Sequence, residues 1–481
     1  MTGTATRPTR TASTPTSRMP SLAAVFGWIL ALVGFGIGAR TIYDNSLFTH
    51  IATGRLIVVD GVPHADPYSF TAAGAPWVVQ SWLVSLLYGL SEKLLGEVGL
   101  RILGGLMVAA IVALAWRLTR PARSLLPRIL IVGLVMVACG PFWSPRPLLV
   151  GLVLLELALL IVLEGHDARW LIPVMWLWVN SHGSFPLGLV AIAAILAGSW
   201  LDGDKERERW WPLGWAVVGT VLGAIGPIGP KILVFPVELL GRMDVLSRVV
   251  EWQSPNFGTG FARVFLLQVI VAILALVRRP SYRSALPLVV FVAAALIGQR
   301  NIPDASLVLI PGMAVGLAGL GRLDGRERGI VPVVLGAAAT LVAVVVLSGQ
   351  LAEPAFDLTT YPTDGITWLA QHDMIGTDVR VATQDTVGNT LELLYGTSNK
   401  TSFDDRYDMY PIQVSRDYLA LQDGAPDWQA GLDRQRVQVL MWSRTAPLAA
   451  LVASSPDWRI RYQDPSVFIA CRRGSGVPDC S

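Results

Sequence analysis

The sequence predicts a mostly α-helical protein: a polytopic bundle of about eleven membrane-spanning helices, followed by a soluble C-terminal domain of α/β type outside the cytoplasm. Three observations predict it. The chain is 53% hydrophobic and only 15% charged, with a mean hydropathy of +0.52, too apolar for a soluble protein of ordinary charge content. Apolar runs of about 17 to 20 residues, enough to cross a hydrocarbon core of about 30 Å, recur from Ser21 to Ser348. Beyond that point, over 349–481, the composition is that of a soluble domain.

Residues 1–20 are rich in Thr, Ser, Pro and Arg and have nothing to bury, as expected of a disordered cytoplasmic tail. The run from Ser21 to Ala39 is too long for a signal-peptide core and reads as a first, uncleaved span. Further spans are expected near 98–116, 129–142, 148–163, 170–181, 185–201, 211–226, 262–277, 284–298, 304–320 and 329–348, which makes 21–348 the membrane domain. The pair at 170–181 and 185–201 is split by Asn-Ser-His-Gly and reads as a broken hairpin, tolerated where backbone lines an enclosed cavity. Alternate connections carry the basic residues, among them Arg117, Arg120 and Arg123, then Arg278, Arg279 and Arg283. The bias puts those connections and the N-terminus in the cytoplasm and the C-terminal domain outside, in a multi-pass protein of the plasma membrane. Two outer segments are long, 40–97 and 227–261; within the first, Leu47 to Val59 and Trp77 to Leu95 read as helices lying on the membrane surface.

The net charge of +3 and the lack of any basic run interleaved with aromatics argue against nucleic acid as a partner. There is no HExxH or CxxC, no Walker-type glycine loop and no GxSxG, so metal hydrolysis, ATP-driven pumping and serine hydrolysis have no support. Cys139 sits in an apolar run as a core residue. Cys471 and Cys480 flank a short Gly/Pro loop, and their spacing is compatible with a disulfide or with two free thiols.

Polar motifs collect at the outer ends of the spans: DNSLFTHIATGR (44–55), HADPYSFT (64–71), WSPRP (143–147), WVNSHGS (178–184), EWQSPNF (251–257) and GQRNIPD (298–304). Ionisable groups at membrane depth mark sites by default, so Asp44, Arg146, His182, Glu251 and Arg300 are expected to ring one outer cavity. Arg146 and Arg300 are candidates to hold a phosphate, since guanidinium is always charged and forks onto phosphate oxygens. Asp44 is the candidate general base, His182 or Asn180 the candidate ligand of phosphate or sugar hydroxyl, and Glu251 a group that orients either substrate. His50 and Asp66, in the first two motifs, join the candidate substrate-binding set. Each also has a plain structural role open to it: helix cap for Asp44, headgroup anchor for Arg146, turn residue for Asp66, and an ion pair between loops for Glu251 and Arg300. The Asp404–Asp405 pair is too far along the chain to assign to this cavity.

The stretch DNSLFTHIATGRLIVVDGVPHADPYSFTAAGAPWVVQSWL resembles the first extracytoplasmic loop of bacterial multi-spanning GT-C superfamily glycosyltransferase-like membrane proteins, with an Asp, an aromatic-His segment, Ala-Thr-Gly-Arg, Pro-x-x-Asp-Pro and a Trp-rich helix in order. RPLL (146–149), WVNSHGS, EWQSPNF, QRNIP and, in the tail, FDDRYDMY (403–410) extend the resemblance from Ala23 to Arg472. It implies transfer of a sugar from a polyprenyl-phosphate donor to a glycan, lipid or protein acceptor outside the cytoplasm, with Asp44 at the position of the family's base. Asn45 follows Asp44, so the paired acidic motif of some members is absent; no metal or other cofactor is expected, and the lipid-phosphate-linked sugar is the donor substrate. A transporter and a non-catalytic envelope-assembly scaffold of the same fold are the rival readings.

Overall fold

A computed structural model of the protein describes residues 19–321, 323, 325–477 and 480; the tail expected over 1–20 lies almost wholly outside them. Each apolar run becomes helical. α1 (Leu22–Gly38) is followed by α2 (Asn45–Asp60), α3 (Trp82–Leu95), α4 (Glu97–Leu118), α5 (Leu125–Cys139), α6 (Leu148–Glu164), α7 (Leu171–Ser181), α8 (Phe185–Leu201) and α9 (Trp211–Leu222). The short α10 (Lys231–Leu240) and α11 (Met243–Leu246) lead to α12 (Gly260–Arg278), α13 (Tyr282–Ile297), α14 (Ile302–Val308), α15 (Ile310–Gly316) and α16 (Ile330–Ala352).

The expected count of eleven crossings is not supported at that number. Among the described residues four helices are long and apolar enough to cross a membrane, Glu97–Ala122, Leu125–Phe142, Gly260–Arg278 and Ile330–Ala352. Leu22–Gly38, Phe185–Leu201 and Tyr282–Ile297 are apolar but shorter. A 17-residue helix such as α1 rises roughly 26 Å, short of a hydrocarbon core of about 30 Å. The run at 304–320 breaks at Leu309, because Pro311 has no N–H to continue the ladder, and gives two helices of 7 residues each. α16 packs on α1 and buries only Pro332, the pattern of a helix surrounded by lipid.

The C-terminal part of the chain carries α17 (Thr363–Gln371), β1 (Val381–Thr383), α18 (Asp385–Tyr395), α19 (Ile412–Asp423), α20 (Trp428–Arg434), β2 (Val439–Ser443), α21 (Leu448–Ser454), β3 (Trp458–Gln463) and β4 (Val467–Arg472). Its four strands lie in the order β1-β2-β4-β3, with β1 parallel to β2 and the other pairs antiparallel. β2 and β4 are buried almost throughout, as central strands are. Cys471, at the end of β4, is joined to Cys480, with Cα atoms 5.4 Å apart, and Cys139 is a buried free thiol.

The first long loop does not lie on a membrane surface along its whole length. α2 is sandwiched between α3 and α18, with Leu47, Phe48, Ile51, Ala52 and Ile57 buried. Gly54 and Gly89 make the α2–α3 crossing close: a Cβ on either would fall within 2.3 Å of the other helix's backbone. α3 keeps Leu87, Leu90 and Leu94 exposed. Arg406 is the buried knot between loop and domain. It pairs with Asp66 of the loop at 2.8 Å and Asp404 at 2.6 Å, and stacks on Trp77 with its guanidinium carbon 4.6 Å from the ring centre. Glu392, from α18, accepts from Thr49 of α2 at 2.5 Å, and Asn389 donates to the Asn45 carbonyl.

Candidate functional site

Asp44 caps α2, accepting from the Ser46 amide at 3.1 Å, as a carboxylate at a helix N-terminus does. Arg146 stands between Pro145 and Pro147 just ahead of α6, and the rings restrict the backbone on both sides of it. Its Nε and Nη2 donate to the two oxygens of Asp44 at 2.5 and 2.8 Å, and its Nη1 donates to Glu251. Glu251 and Trp252 sit in a tight turn that the turn at Gln299–Asn301 grips: the Gln299 side chain donates to the Val250 carbonyl at 2.6 Å, and its amide to that of Gln253 at 2.9 Å. That grip lays Arg300 over the Trp252 ring, 4.2 Å from its centre.

These groups open on a cavity of about 590 Å³ between the loops at one end of the bundle and the C-terminal domain. Asp44, His50, Arg146, His182, Glu251 and Arg300 all line it. Two expected ligands do not. Asn180 is spent on structure: its Oδ1 accepts from Trp82 at 2.8 Å, and its Nδ2 donates to the carbonyls of Trp176 and Gly223. Asp66 accepts from Ser69 at 2.5 Å and the Tyr68 amide at 3.1 Å and meets Arg406, so it shapes the loop rather than the cavity. Glu251 pairs with Arg146 and not with Arg300.

Charge is unevenly committed. Burial alone would raise the Asp44 carboxyl, but the charge and hydrogen bonds of Arg146 outweigh it and hold Asp44 below the ordinary aspartate range. Arg248 is tied to Asp423 at 2.5 Å and Arg406 to its buried acids. Among the described residues Arg300 makes no hydrogen bond or ion pair; it lies on the face of Trp252, Glu251 and Asp304 act on its charge from beyond ion-pair distance, and burial draws its guanidinium below the usual arginine range. His50 is held down to about 4 by burial and by Arg146, and His182, whose Nδ1 meets the Ser184 hydroxyl at 2.8 Å, to about 3 by burial and by Arg300. Both are neutral imidazoles at physiological pH, able to donate or accept hydrogen bonds without adding charge.

The far wall comes from the C-terminal domain, through Asp385, Asp405, Tyr407 and Asp408. The pair judged too distant in the chain divides its roles: Asp404 is buried under Arg406, whereas Asp405 faces the cavity. Burial first, and Asp404 second, push the Asp405 carboxyl up to about 7. Its segment, FDDRYDMY, is visible in the sequence, but only the fold brings it against Ser46. Among the described residues no group of three or more His, Cys, Asp or Glu is arranged to hold a metal ion.

No protein-family model matches the sequence, and no curated protein matches it. Solved structures do. The archaeal oligosaccharyltransferase AglB from Archaeoglobus fulgidus, in complex with an inhibitory peptide and a dolichol-phosphate, is similar with a TM-score of 0.52 at 10% identity, over 94% of this chain and 74% of that one. The apo form of the Archaeoglobus fulgidus oligosaccharyltransferase gives 0.52 at 11% identity, over 94% and 75%. At such identity the likeness is one of fold: the chain is mostly helical with a small C-terminal sheet, in the GT-C-like arrangement that the motifs led us to expect.

Proposed function

We propose that the chain is a membrane glycosyltransferase that takes a sugar from a polyprenyl-phosphate-linked donor and passes it to a glycan, lipid or protein acceptor outside the cytoplasm. The observation that carries this reading is the cavity in which a bidentate Asp44–Arg146 pair faces the uncommitted guanidinium of Arg300. The GT-C-like fold supports it by analogy of architecture. The Cys471–Cys480 disulfide supports an oxidising, extracytoplasmic setting for the C-terminal domain of a plasma-membrane protein.

In the reaction, an acceptor hydroxyl forms a bond to the anomeric carbon while the bond from that carbon to the phosphate oxygen breaks, and the polyprenyl phosphate leaves with the electron pair. Arg300 stabilises charge on the leaving phosphate. Asp44 takes the hydroxyl proton. While it is closed by Arg146 its carboxylate is a weak base; a donor phosphate that competes for Arg146 loosens the pair and frees the base only when substrate is bound. A single displacement of this kind inverts the anomeric carbon. A lipid-linked donor fits the cavity's position at the end of apolar helices, where a head group meets the loops and a tail stays in the bilayer.

The occupied state of Asp44 also favours a second reading, a non-catalytic envelope-assembly scaffold in which the pair is structural. Transfer of radiolabelled sugar from a panel of polyprenyl-phosphate donors, in membranes carrying the wild-type chain or Asp44→Asn, separates the two. Wild-type-dependent transfer that the variant abolishes supports the enzyme. No product from any donor, with the protein inserted and folded, favours the scaffold, and a product of retained configuration rules out single displacement.

A further inference from the structure

α6 starts at the Arg146 loop and ends at Glu164, so the Glu164 end of the bundle is the one opposite the cavity just described. A second, apolar cavity of about 590 Å³ opens there, within the range of about 300–1,000 Å³ of ligand pockets. Its walls are Leu160, Ile195, Leu276, Leu288, Val308 and Met313, contributed by six helices, α6, α8 and α12 to α15. At its mouth stand Arg117 and Arg120, which share Glu164 at 2.5 and 3.9 Å, and Arg283. A neighbouring cavity of about 620 Å³ shares Pro121 and Val315 with it and is lined by Arg123 and Arg279. The turn between α12 and α13 stands between the two, with Arg279 on one side and Arg283 on the other.

Basic residues at this end have an ordinary explanation, since they set the orientation of a membrane protein. Orientation asks only that they reach water. Arg283 does more than reach water: its Nε is buried with no hydrogen-bond partner, beside an apolar cavity, and Asp202 and Asp204 act on its charge only from beyond ion-pair distance. Among the described residues no carboxylate lies within ion-pair distance of Arg123, Arg279 or Arg283. An unpaired, partly desolvated guanidinium is costly, and a basic pocket between helices with an apolar interior is complementary to an anionic head group on an acyl tail.

We propose that this end of the bundle binds one anionic membrane phospholipid, with its phosphate on Arg283, at the turn that also carries Arg279, and an acyl chain in the apolar cavity. The lipid supplies the acceptor that Arg283 Nε lacks and fills the space between α6, α8, α12 and α13, so it braces the helices from the end remote from the candidate site. This site stands apart from the proposed transfer reaction and does not depend on it.

The test is native mass spectrometry of the full chain released from nanodiscs of phosphatidylcholine doped with phosphatidylglycerol, with undecaprenyl phosphate as a third competitor. The wild type should retain one phosphatidylglycerol at least tenfold in preference to phosphatidylcholine. Arg279→Gln with Arg283→Gln should lose that preference. Leu276→Trp, which fills the apolar cavity and leaves the charges in place, should reduce retention too, and it serves if the double variant unfolds. Equal retention of the two phospholipids by the wild type, or an unchanged preference in the double variant, overturns the proposal. Preferential retention of undecaprenyl phosphate overturns it as well, and reassigns the cavity to a prenyl lipid.

Discussion

Arg146 closes on both oxygens of Asp44, 2.5 Å from Nε to Oδ2 and 2.8 Å from Nη2 to Oδ1, and its remaining nitrogen reaches Glu251. One guanidinium therefore joins the cap of α2 to the start of α6 and to the turn at 250–252. Removing it leaves two acids facing each other in a partly buried place. Arg146→Ala should cost about 3 kcal/mol, the lower end for a broken buried pair because Arg146 keeps some solvent, read as a fall in thermal unfolding temperature. Asp44→Asn keeps the shape and should cost transfer roughly 10²- to 10⁴-fold, the usual contribution of general-base catalysis. Unimpaired transfer in Asp44→Asn would take the base role from this residue.

Arg300 is the cation left for an incoming anion. Arg300→Gln should raise the donor KM roughly 10- to 100-fold, from the loss of about 1.5–3 kcal/mol of charge-assisted hydrogen bonding. Folding should be little affected, because the side chain's partner in the free protein is the Trp252 face. Steady-state kinetics at two ionic strengths checks this, with the wild type the more salt-sensitive of the two.

Asp405 gives a pH dependence of definite sign. Its carboxyl is raised from 3.8 to about 7, with burial the larger cause and Asp404 the smaller. The folded chain thus keeps a proton that the unfolded chain has lost, so the group stabilises fully below its unfolded value and that contribution falls away as pH rises from about 4 to about 7. Asp405→Asn removes this slope. The variant should gain on the order of 4 kcal/mol on the wild type at pH 8 and little at pH 4, measured by denaturant unfolding. Equal differences at the two pH values would show that Asp405 is not a titrating group.

Arg406 ties the first loop to the C-terminal domain through Asp66 and Asp404. Arg406→Met leaves those acids buried without a cation and should cost about 3–5 kcal/mol, with faster proteolysis in the segment at 61–81. Asp66→Asn should weaken the same junction by less, since the amide still hydrogen-bonds Ser69. If Asp66→Asn instead lowers donor affinity at unchanged stability, Asp66 belongs to the substrate after all.

The Cys471–Cys480 bond closes a loop at the end of β4. Its reduction should lower stability by about 2–3 kcal/mol, and in the unreduced, unfolded chain Cys139 alone should react with a thiol reagent. Three reactive thiols would place the domain in a reducing compartment.

What could be read from the sequence is what a bilayer imposes on contiguous residues. An apolar run must become a helix, because backbone groups in lipid find partners only within it, and so α1, α4, α12 and α16 lie where hydropathy puts them. The clustering of Asp44, Arg146, Glu251 and Arg300 was legible for a similar reason: polar groups are expelled to the ends of such runs, and alternate ends face the same side. The number of crossings was less legible, since a run interrupted by Pro311 or ended early by a turn keeps its hydropathy while losing its length.

Partnership was decided only by the tertiary structure. Asp44 and Arg146 are 102 positions apart, and Arg406 reaches back across the whole membrane domain to Asp66. Asn180 and Asp66 look like ligands in their motifs, yet Trp82 and the Gly223 carbonyl take up the first and Tyr68, Ser69 and Arg406 the second, while Asp405 looks remote and turns into the cavity. Local sequence sets which groups are polar and which end of a helix they occupy; whether a charge is paired, spent or free depends on the direction each side chain takes once helices and sheet have packed, because hydrogen bonds and ion pairs act over a few ångströms of space and not along the chain.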